Sequence, residues 1–332
     1  MLGVAGAAAA SAFLSRPAIL KAAPQYNWRF AHAGAIGSDQ DEFAKKFATL
    51  LNEKTEGAVS VADFPAGQLG GEQDLFQQVR GRVLEFCIQG LPGVSNMGAR
   101  EAMLLDLPYV VKDIDQGWAL LRGEFGDWLK GVIETKTGNV PLVYLDNGFR
   151  NVFNKHRPIE TVEDLAGLRL RVLQAPGYVT VYEHFGAVPV PLAYNEVYSS
   201  LESGVVDGGE CSPKQLIQDK FYEVAQFYSL TRINYNPVIA VANSQFMQEL
   251  PDDIRGAVIE AIDEAVIYQS SIARKMDEDM MEQMKSRGVT VVEPDLESFV
   301  ASARPAVWDK LAAQIPNGEE NISRLLSSLE KL

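Results

Sequence analysis

From Tyr26 to Asn243 the chain alternates short strand-like runs with amphipathic helical runs, and the connections between them are short. Tyr26 to His32 alternates in character and is bounded by Gly34 and Gly37, which predicts a strand. Ser38 and Asp39 can cap the helix that follows, where Phe43, Phe47, Leu50 and Leu51 fall on one face. Val59 to Phe64 reads as a second strand ending at Pro65, Glu72 to Val79 as a helix, and Val83 to Ile88 as a buried strand. Residues 114–136 carry Trp118, Leu121, Phe125, Trp128 and Leu129 at helical spacing, and Val140 to Leu145 is again strand-like. Such alternation predicts an α/β fold of mostly parallel sheets with helices on both faces.

The second half continues in the same manner. Thr161 to Leu165 is a short helical turn, Leu168 to Val172 a strand, Val179 to Phe185 a helix and Val188 to Val190 a short strand. Asn195 to Ser203 is helical and leads through Gly204 to Asp207 into another strand. Tyr228 to Ile233 and Val238 to Asn243 are strand-like. Ser244 to about Arg287 is helical with one break near Pro251, long enough to lie across two domains. Val289 to Val292 is a late strand, and residues 296–330 read as helical. A chain of 332 residues exceeds one small core and fits two domains.

Charge narrows the partners. There are 44 acidic against 30 basic residues, a net charge of -14. Binding nucleic acid requires clustered Lys and Arg, so no nucleic-acid partner is expected, nor docking on an anionic membrane. Two cysteines, Cys87 and Cys211, make neither a zinc ribbon nor a disulfide scaffold. Three histidines, His32, His156 and His184, leave little material for a multi-His metal site, and no metal or cofactor is expected. Residues 2–14, LGVAGAAAASAFL, are uncharged, too short to span a membrane and of the length of a signal-peptide apolar region. Residues 1–23 are therefore read as a cleaved export signal whose basic start lies upstream, and the mature protein is expected in the periplasm.

Catalytic motifs are scarce. There is no phosphate-binding loop with Lys-Ser/Thr, no nucleophile elbow and no H-E-x-x-H. Gly67 to Gly71 (GQLGG) reads as a turn, Cys87 as a core thiol, and Asp106 as a capping or hydrogen-bonded carboxylate. The informative residues are arginines set in apolar strands. In GLRLRV, alternation puts Arg169 and Arg171 on one side and Leu170 on the other. A buried guanidinium needs a carboxylate partner. That partner is either internal, with Glu196, Asp207 and Glu210 as candidates, or a ligand. Arg150, in GFRNVFN, poses the same choice.

Six segments in order then carry a resemblance: PAGQLGGEQDLFQQVRGRVLEF at 65–86, LDLPYVVKD at 105–113, GFRNVFNKHRPI at 148–159, DLAGLRLRV at 164–172, VPLAYNEVYSSLESGVVDGGE at 190–210 and FYEVAQFYSLTRINYNP at 221–237. With them the chain resembles the DctP-like substrate-binding proteins of tripartite ATP-independent periplasmic (TRAP) transporters, from about Trp28 to residue 325. The resemblance implies a periplasmic-binding-protein-like clam-shell: two α/β domains, hinge strands and a long domain-crossing helix. It implies an organic acid in the cleft, held by Arg171 through a bidentate fork, with Arg150 as a second cleft arginine and Tyr194 packing on the ligand. It further implies delivery to one small and one large integral membrane subunit, and binding rather than catalysis.

Departures bear on the ligand. Sialic-acid-binding members carry Asn after the glutamate of the DGxE motif, where Glu210 is here followed by Cys211. They carry Asn in the first-strand loop, where this chain has Ala33 beside His32, and Glu at the end of the third strand, where it has Gly90 beside Gln89. Three polar contacts are thus changed, which favours a smaller or more apolar carboxylate and leaves sugar acids open. His32, if it faces the cleft, would meet a second polar group. Two other classes remain: a ligand-dependent sensor module for a membrane receptor, and an extracytoplasmic enzyme relying on Cys211. Domain one is expected to hold residues 24–148 and about 237–276, domain two 149–236 and about 277–332. No heptad seam stands out, so a monomer is expected.

Overall fold

A computed structural model describes residues 23–332, so the expected export signal, apart from its last residue, lies outside the described residues. The first sheet is built by β1 (Tyr26–Ala31), α1 (Asp39–Lys54), β2 (Val59–Phe64), α2 (Glu72–Arg80) and β3 (Phe86–Gly90). Two 3₁₀ stretches, Leu91–Met97 and Arg100–Asp106, then lead to α3 (Ile114–Leu121), α4 (Glu124–Thr137) and β4 (Asn139–Leu145). The second sheet collects β5 (Phe149–Asn154), β6 (Arg169–Val172), α5 (Pro176–His184), β7 (Val188–Pro191), α6 (Val197–Glu202), β8 (Gly208–Cys211), α7 (Pro213–Gln218) and β9 (Phe227–Tyr235). The chain returns as β10 (Val238–Asn243) and runs through α8 (Ser244–Glu249) and α9 (Asp252–Ser286). It ends with β11 (Thr290–Val292), α10 (Leu296–Ala303), α11 (Ala306–Ala312) and α12 (Gly318–Leu329).

Strand order is β2-β1-β3-β10-β4 in the first sheet and β11-β9-β5-β8-β6-β7 in the second. The α/β class holds, but the sheets are mixed rather than mostly parallel. β10 runs antiparallel to both β3 and β4, and β5 antiparallel to both β8 and β9. The reason is the crossing between lobes. β4 passes into β5 through residues 146–148 and β9 into β10 through 236–237, so each lobe receives a strand arriving from the other. The third crossing is α9, which packs on α1 and β4 of one lobe and on α7 and β11 of the other.

Local chemistry explains the elements. Ser38 caps α1 by accepting from the Asp41 N–H at 3.3 Å, and Asp39, Asp41 and Glu42 fill its first turn. Its apolar face brings Phe43 and Phe47 onto Phe30 of β1, and Phe47 stands edge-on to Phe86 of β3. Several expectations shift. The helical run at 114–136 is two helices, because Gly123 adopts an extended conformation and Gly126 packs its bare Cα against the Leu121 carbonyl. The run at 296–330 is three, divided at Pro305 and at Asn317, whose φ is positive. β5 was not legible as a strand because Arg150, Asn151 and Asn154 interrupt it; each is buried and bonded inside. α12 turns back onto α3 and α4, with Arg324 over the Trp128 ring at 4.9 Å.

Candidate functional site

Three adjacent strands of the second sheet place three charges side by side. β8 pairs with β5 on one edge and β6 on the other, so Glu210 stands between Arg150 and Arg171. Arg150 is enclosed. Its Nε donates to one Glu210 carboxylate oxygen, its Nη2 to the Glu210 carbonyl and its Nη1 to Gln215 at 2.6 Å. Burial opposes its charge, but Glu210 overcomes this and holds the group firmly protonated. Arg171 is held differently. Its Nε and Nη2 donate to the Leu192 carbonyl at 3.1 and 2.9 Å, and its Nη1 stands 3.5 Å from the other Glu210 oxygen. Burial lowers its proton affinity, Glu210 offsets this in part, and Arg150 adds to the lowering. One internal carboxylate thus serves two buried guanidinia. The remaining candidates separate: Asp207 pairs with Arg169 at 2.6 Å near the surface, and Glu196 is exposed.

Arg171 opens into a small, nearly closed cavity lined by Gly34, Gln40, Glu72, Gly90, Asn147 and Asn236 together with Arg150, Tyr194 and Gln215. An adjoining small cavity adds Gln89 and shares Glu72, Arg171 and Tyr194. Both lie between the two sheets' lobes, with Asn147 and Asn236 at the crossings. Tyr194 sits on a 3₁₀ turn (Tyr194–Glu196), its ring 5.6 Å from the Arg171 guanidinium and its hydroxyl bonded to Asp219. Gln89 is buried, its amide donating to the Gly90 carbonyl at 3.1 Å.

Two expected residues face elsewhere. Strand alternation turns Cys211 away from Glu210 into an apolar core with Phe153, Leu216, Phe221 and Tyr228. Burial pushes its thiol well up, so the nucleophile on which an enzyme reading would rest is neutral and enclosed. His32 is fully buried beside Asp41 and Asp63 and does not line the cavity.

Other contributors escaped the sequence reading. Glu72, the first residue of α2, places its carboxylate against Gly90, where a Cβ would stand 3.1 Å from Oε2. Burial pushes the Glu72 carboxyl up, against the pull of Arg171. The GQLGG turn forms the rim of the cleft: a Cβ on Gly67 would meet Asn195 at 3.2 Å, and one on Gly71 would meet Ala193 at 3.3 Å. Gln73 and Asn96 of the first lobe both donate to the Gln174 carbonyl of the second, at 3.0 and 2.6 Å. The mouth is shut.

A shut cavity between two lobes, floored by paired arginines, is an arrangement for enclosing an anion. The sequence model described as bacterial extracellular solute-binding protein, family 7, matches residues 30–314. The chain belongs to this family. Among its relatives is the 2,3-diketo-L-gulonate-binding periplasmic protein of Escherichia coli, 31% identical over 88% of this chain and 89% of the relative. Another is the C4-dicarboxylate-binding periplasmic protein DctP of Rhodobacter capsulatus, 29% identical over 93% and 90%. Among solved structures, a TRAP periplasmic solute-binding protein of Roseobacter denitrificans with bound β-D-glucuronate superposes with a TM-score of 0.85 at 29% identity, covering 91% of this chain and 98% of that one. A Sulfitobacter protein with bound β-D-galacturonate gives 0.86 at 28% identity, covering 92% and 100%. This solute-binding protein therefore has the two-domain clam-shell architecture of its family, with α9 spanning both lobes.

Proposed function

We propose that this solute-binding protein is the periplasmic receptor of a TRAP transporter and that it encloses a hydroxylated monocarboxylate, a sugar acid, between its lobes. The observation that carries the reading is the sharing of Glu210 by two buried arginines. Arg171 retains donor capacity toward the cavity, and a ligand carboxylate completes its compensation. Arg150 acts at one remove, by holding Glu210. Tyr194 packs against the Arg171 guanidinium and the bound solute.

The polar lining favours a polyhydroxylated ligand, the sugar-acid class left open above, over the smaller or more apolar carboxylate favoured from residues 33, 90 and 211. Glu72, Gln40, Asn147, Gln215 and Asn236 supply acceptors and donors for hydroxyl groups. The Glu72 carboxylate also disfavours a second carboxylate on the ligand. Relatives crystallised with glucuronate, galacturonate and L-galactonate support the same class.

The moving bodies we propose are residues 24–148 with about 237–276, and 149–236 with the segment from 277; α12, packed on α3 and α4, travels with the first body. The monomer delivers its solute in the closed form to a small and a large membrane subunit, and no bond in the solute is made or broken. The test is calorimetric titration of the mature protein with uronates, aldonates and C4-dicarboxylates. Tight binding of one or more sugar acids, lost in Arg171→Ala, is expected. Tight binding of dicarboxylates alone overturns the substrate class, and binding that survives Arg171→Ala overturns the site.

A further inference from the structure

Outside the cleft, one cluster has buried donors without partners. His32 follows β1, Asp41 lies in the first turn of α1 and Asp63 is in the last pair of residues of β2. His32 and Asp41 have no exposed side-chain surface, and Asp63 is 14% exposed. His32 Nε2 lies 3.3 Å from Asp63 Oδ1 and 3.9 Å from Asp41 Oδ1. One donor atom from each residue lies within 4.8 Å of the others. Among the described residues, both ring nitrogens of His32 and Oδ1 of Asp41 and of Asp63 find no hydrogen-bond partner, although all four are buried. Buried polar atoms ordinarily find partners, so four in one spot require an explanation.

We infer that His32, Asp41 and Asp63 form a binding site for a divalent transition-metal ion, with zinc the best match. Donors about 2.1 Å from a tetrahedral zinc ion stand about 3.4 Å from one another, which the His32–Asp63 separation meets and the His32–Asp41 separation approaches. One imidazole nitrogen and two carboxylate oxygens suit zinc or its neighbours better than calcium or magnesium, which take oxygen alone. The second oxygen of Asp41 is already fixed, accepting from Lys45 Nζ and from the Gly37 N–H, both at 2.6 Å. That leaves Oδ1 aimed at the ion, as outer partners of a ligating carboxylate do. Asp63, the least buried of the three, gives the ion its way in. The three residues tie the ends of β1 and β2 to the start of α1, and the segment between His32 and Asp41 carries Gly34, in the loop, and Gln40, in the first turn of α1, into the cavity wall. An ion here stiffens that wall without touching the solute.

The experiment uses the mature protein, stripped with a chelator, without solute. Zinc is titrated by calorimetry, and cobalt(II) is titrated while its visible absorption is followed. One equivalent is expected, with a cobalt spectrum of low coordination number that includes a nitrogen ligand. His32→Gln and Asp63→Asn should each weaken binding by more than about tenfold while keeping the native circular dichroism, because removing even an outer partner of a ligand typically costs ten- to a hundredfold. Glu72→Gln, in the solute cavity, should leave it unchanged. Absence of stoichiometric binding by either metal overturns the inference. So does binding that persists in both His32→Gln and Asp63→Asn, since the ion would then sit elsewhere. A doubly protonated His32 in ¹⁵N spectra that zinc fails to displace also overturns it, because the cluster would then be an ion triad.

Discussion

Oε2 of Glu72 lies 3.1 Å from the point where a Cβ on Gly90 would stand. The glycine at the end of β3 and the glutamate at the start of α2 thus divide one space: the backbone gives up a side chain and the helix supplies a carboxylate. Gly90→Ala should push that carboxylate aside and weaken sugar-acid binding. Glu72→Gln should weaken it by about 1.5–3 kcal/mol, the worth of hydrogen bonds to a charged acceptor. Calorimetry on both variants checks this, and equal affinities for wild type and Glu72→Gln would remove Glu72 from the site.

Arg171→Ala should cost about 2–5 kcal/mol of ligand affinity, as expected when one member of a buried charge pair is truncated. Arg171→Lys should recover little of it, because an ammonium cannot make the two-pronged contact nor donate twice to the Leu192 carbonyl. Dissociation constants of the three proteins for one sugar acid decide the matter.

The cleft rim should tolerate no bulk. Gly71 has an ordinary backbone conformation, so Gly71→Leu is not strained locally, yet its side chain would enter the space held by Ala193. The expected result is a protein of nearly unchanged melting temperature without ligand, in which saturating sugar acid no longer reduces the radius of gyration. Small-angle scattering with and without ligand reads this directly.

Deep in the interface, Lys214 of α7 bonds Asp39 of α1 at 3.0 Å, with 1% and 4% of their side chains exposed. Gln269 of α9 donates to the same Asp39 oxygen at 2.6 Å. One helix from each lobe, α1 and α7, and the crossing helix α9 meet here. Lys214→Met should destabilise the protein by about 3–5 kcal/mol, because it strands a buried carboxylate. Adding Asp39→Asn should restore part of that. Urea denaturation of the single and double variants tests the pair.

Asp277 accepts from the Lys214 backbone N–H at 3.0 Å, and burial pushes its carboxyl up to about 6 in spite of the Lys214 charge. Its affinity for a proton is therefore higher in the folded protein than in the unfolded chain. As pH rises from about 4 to about 6 the unfolded chain releases this proton first, and stability declines; above that the decline stops. Asp277→Asn should flatten the decline and leave the protein more stable than wild type at pH 7. Melting temperatures across this range provide the check, and parallel profiles for the two proteins would refute the assignment.

Much of this architecture was legible residue by residue. The apolar spacing of Phe43, Phe47, Leu50 and Leu51 specifies α1 whatever surrounds it, whereas alternation in GLRLRV puts Arg169 and Arg171 on one side and only the family resemblance chose Arg171 between them. β5 was not legible, because its buried Arg150 and Asn151 are tolerated only through partners that the fold brings from β8 and β9. Glu72 looks like an ordinary first-turn glutamate until Gly90 is known to lie opposite. His32 was legible as an unusual residue, but its neighbours come from separate elements, and no local pattern points to them. Cys211 illustrates the opposite error: it stands where sialic-acid-binding members carry an Asn after the DGxE glutamate, which suggested a place in the site, whereas here the strand sends its side chain to the face opposite Glu210.

β10 occupies the interior of the first sheet, between β3 and β4, yet it follows β5 to β9 in the chain. The first lobe therefore cannot close its sheet while the polypeptide is still emerging; it must wait until nearly all of the second has been synthesised. Non-local pairing of this kind slows folding. A truncated chain that stops before Val238 should thus yield a protease-sensitive, sheet-deficient first lobe rather than half a receptor.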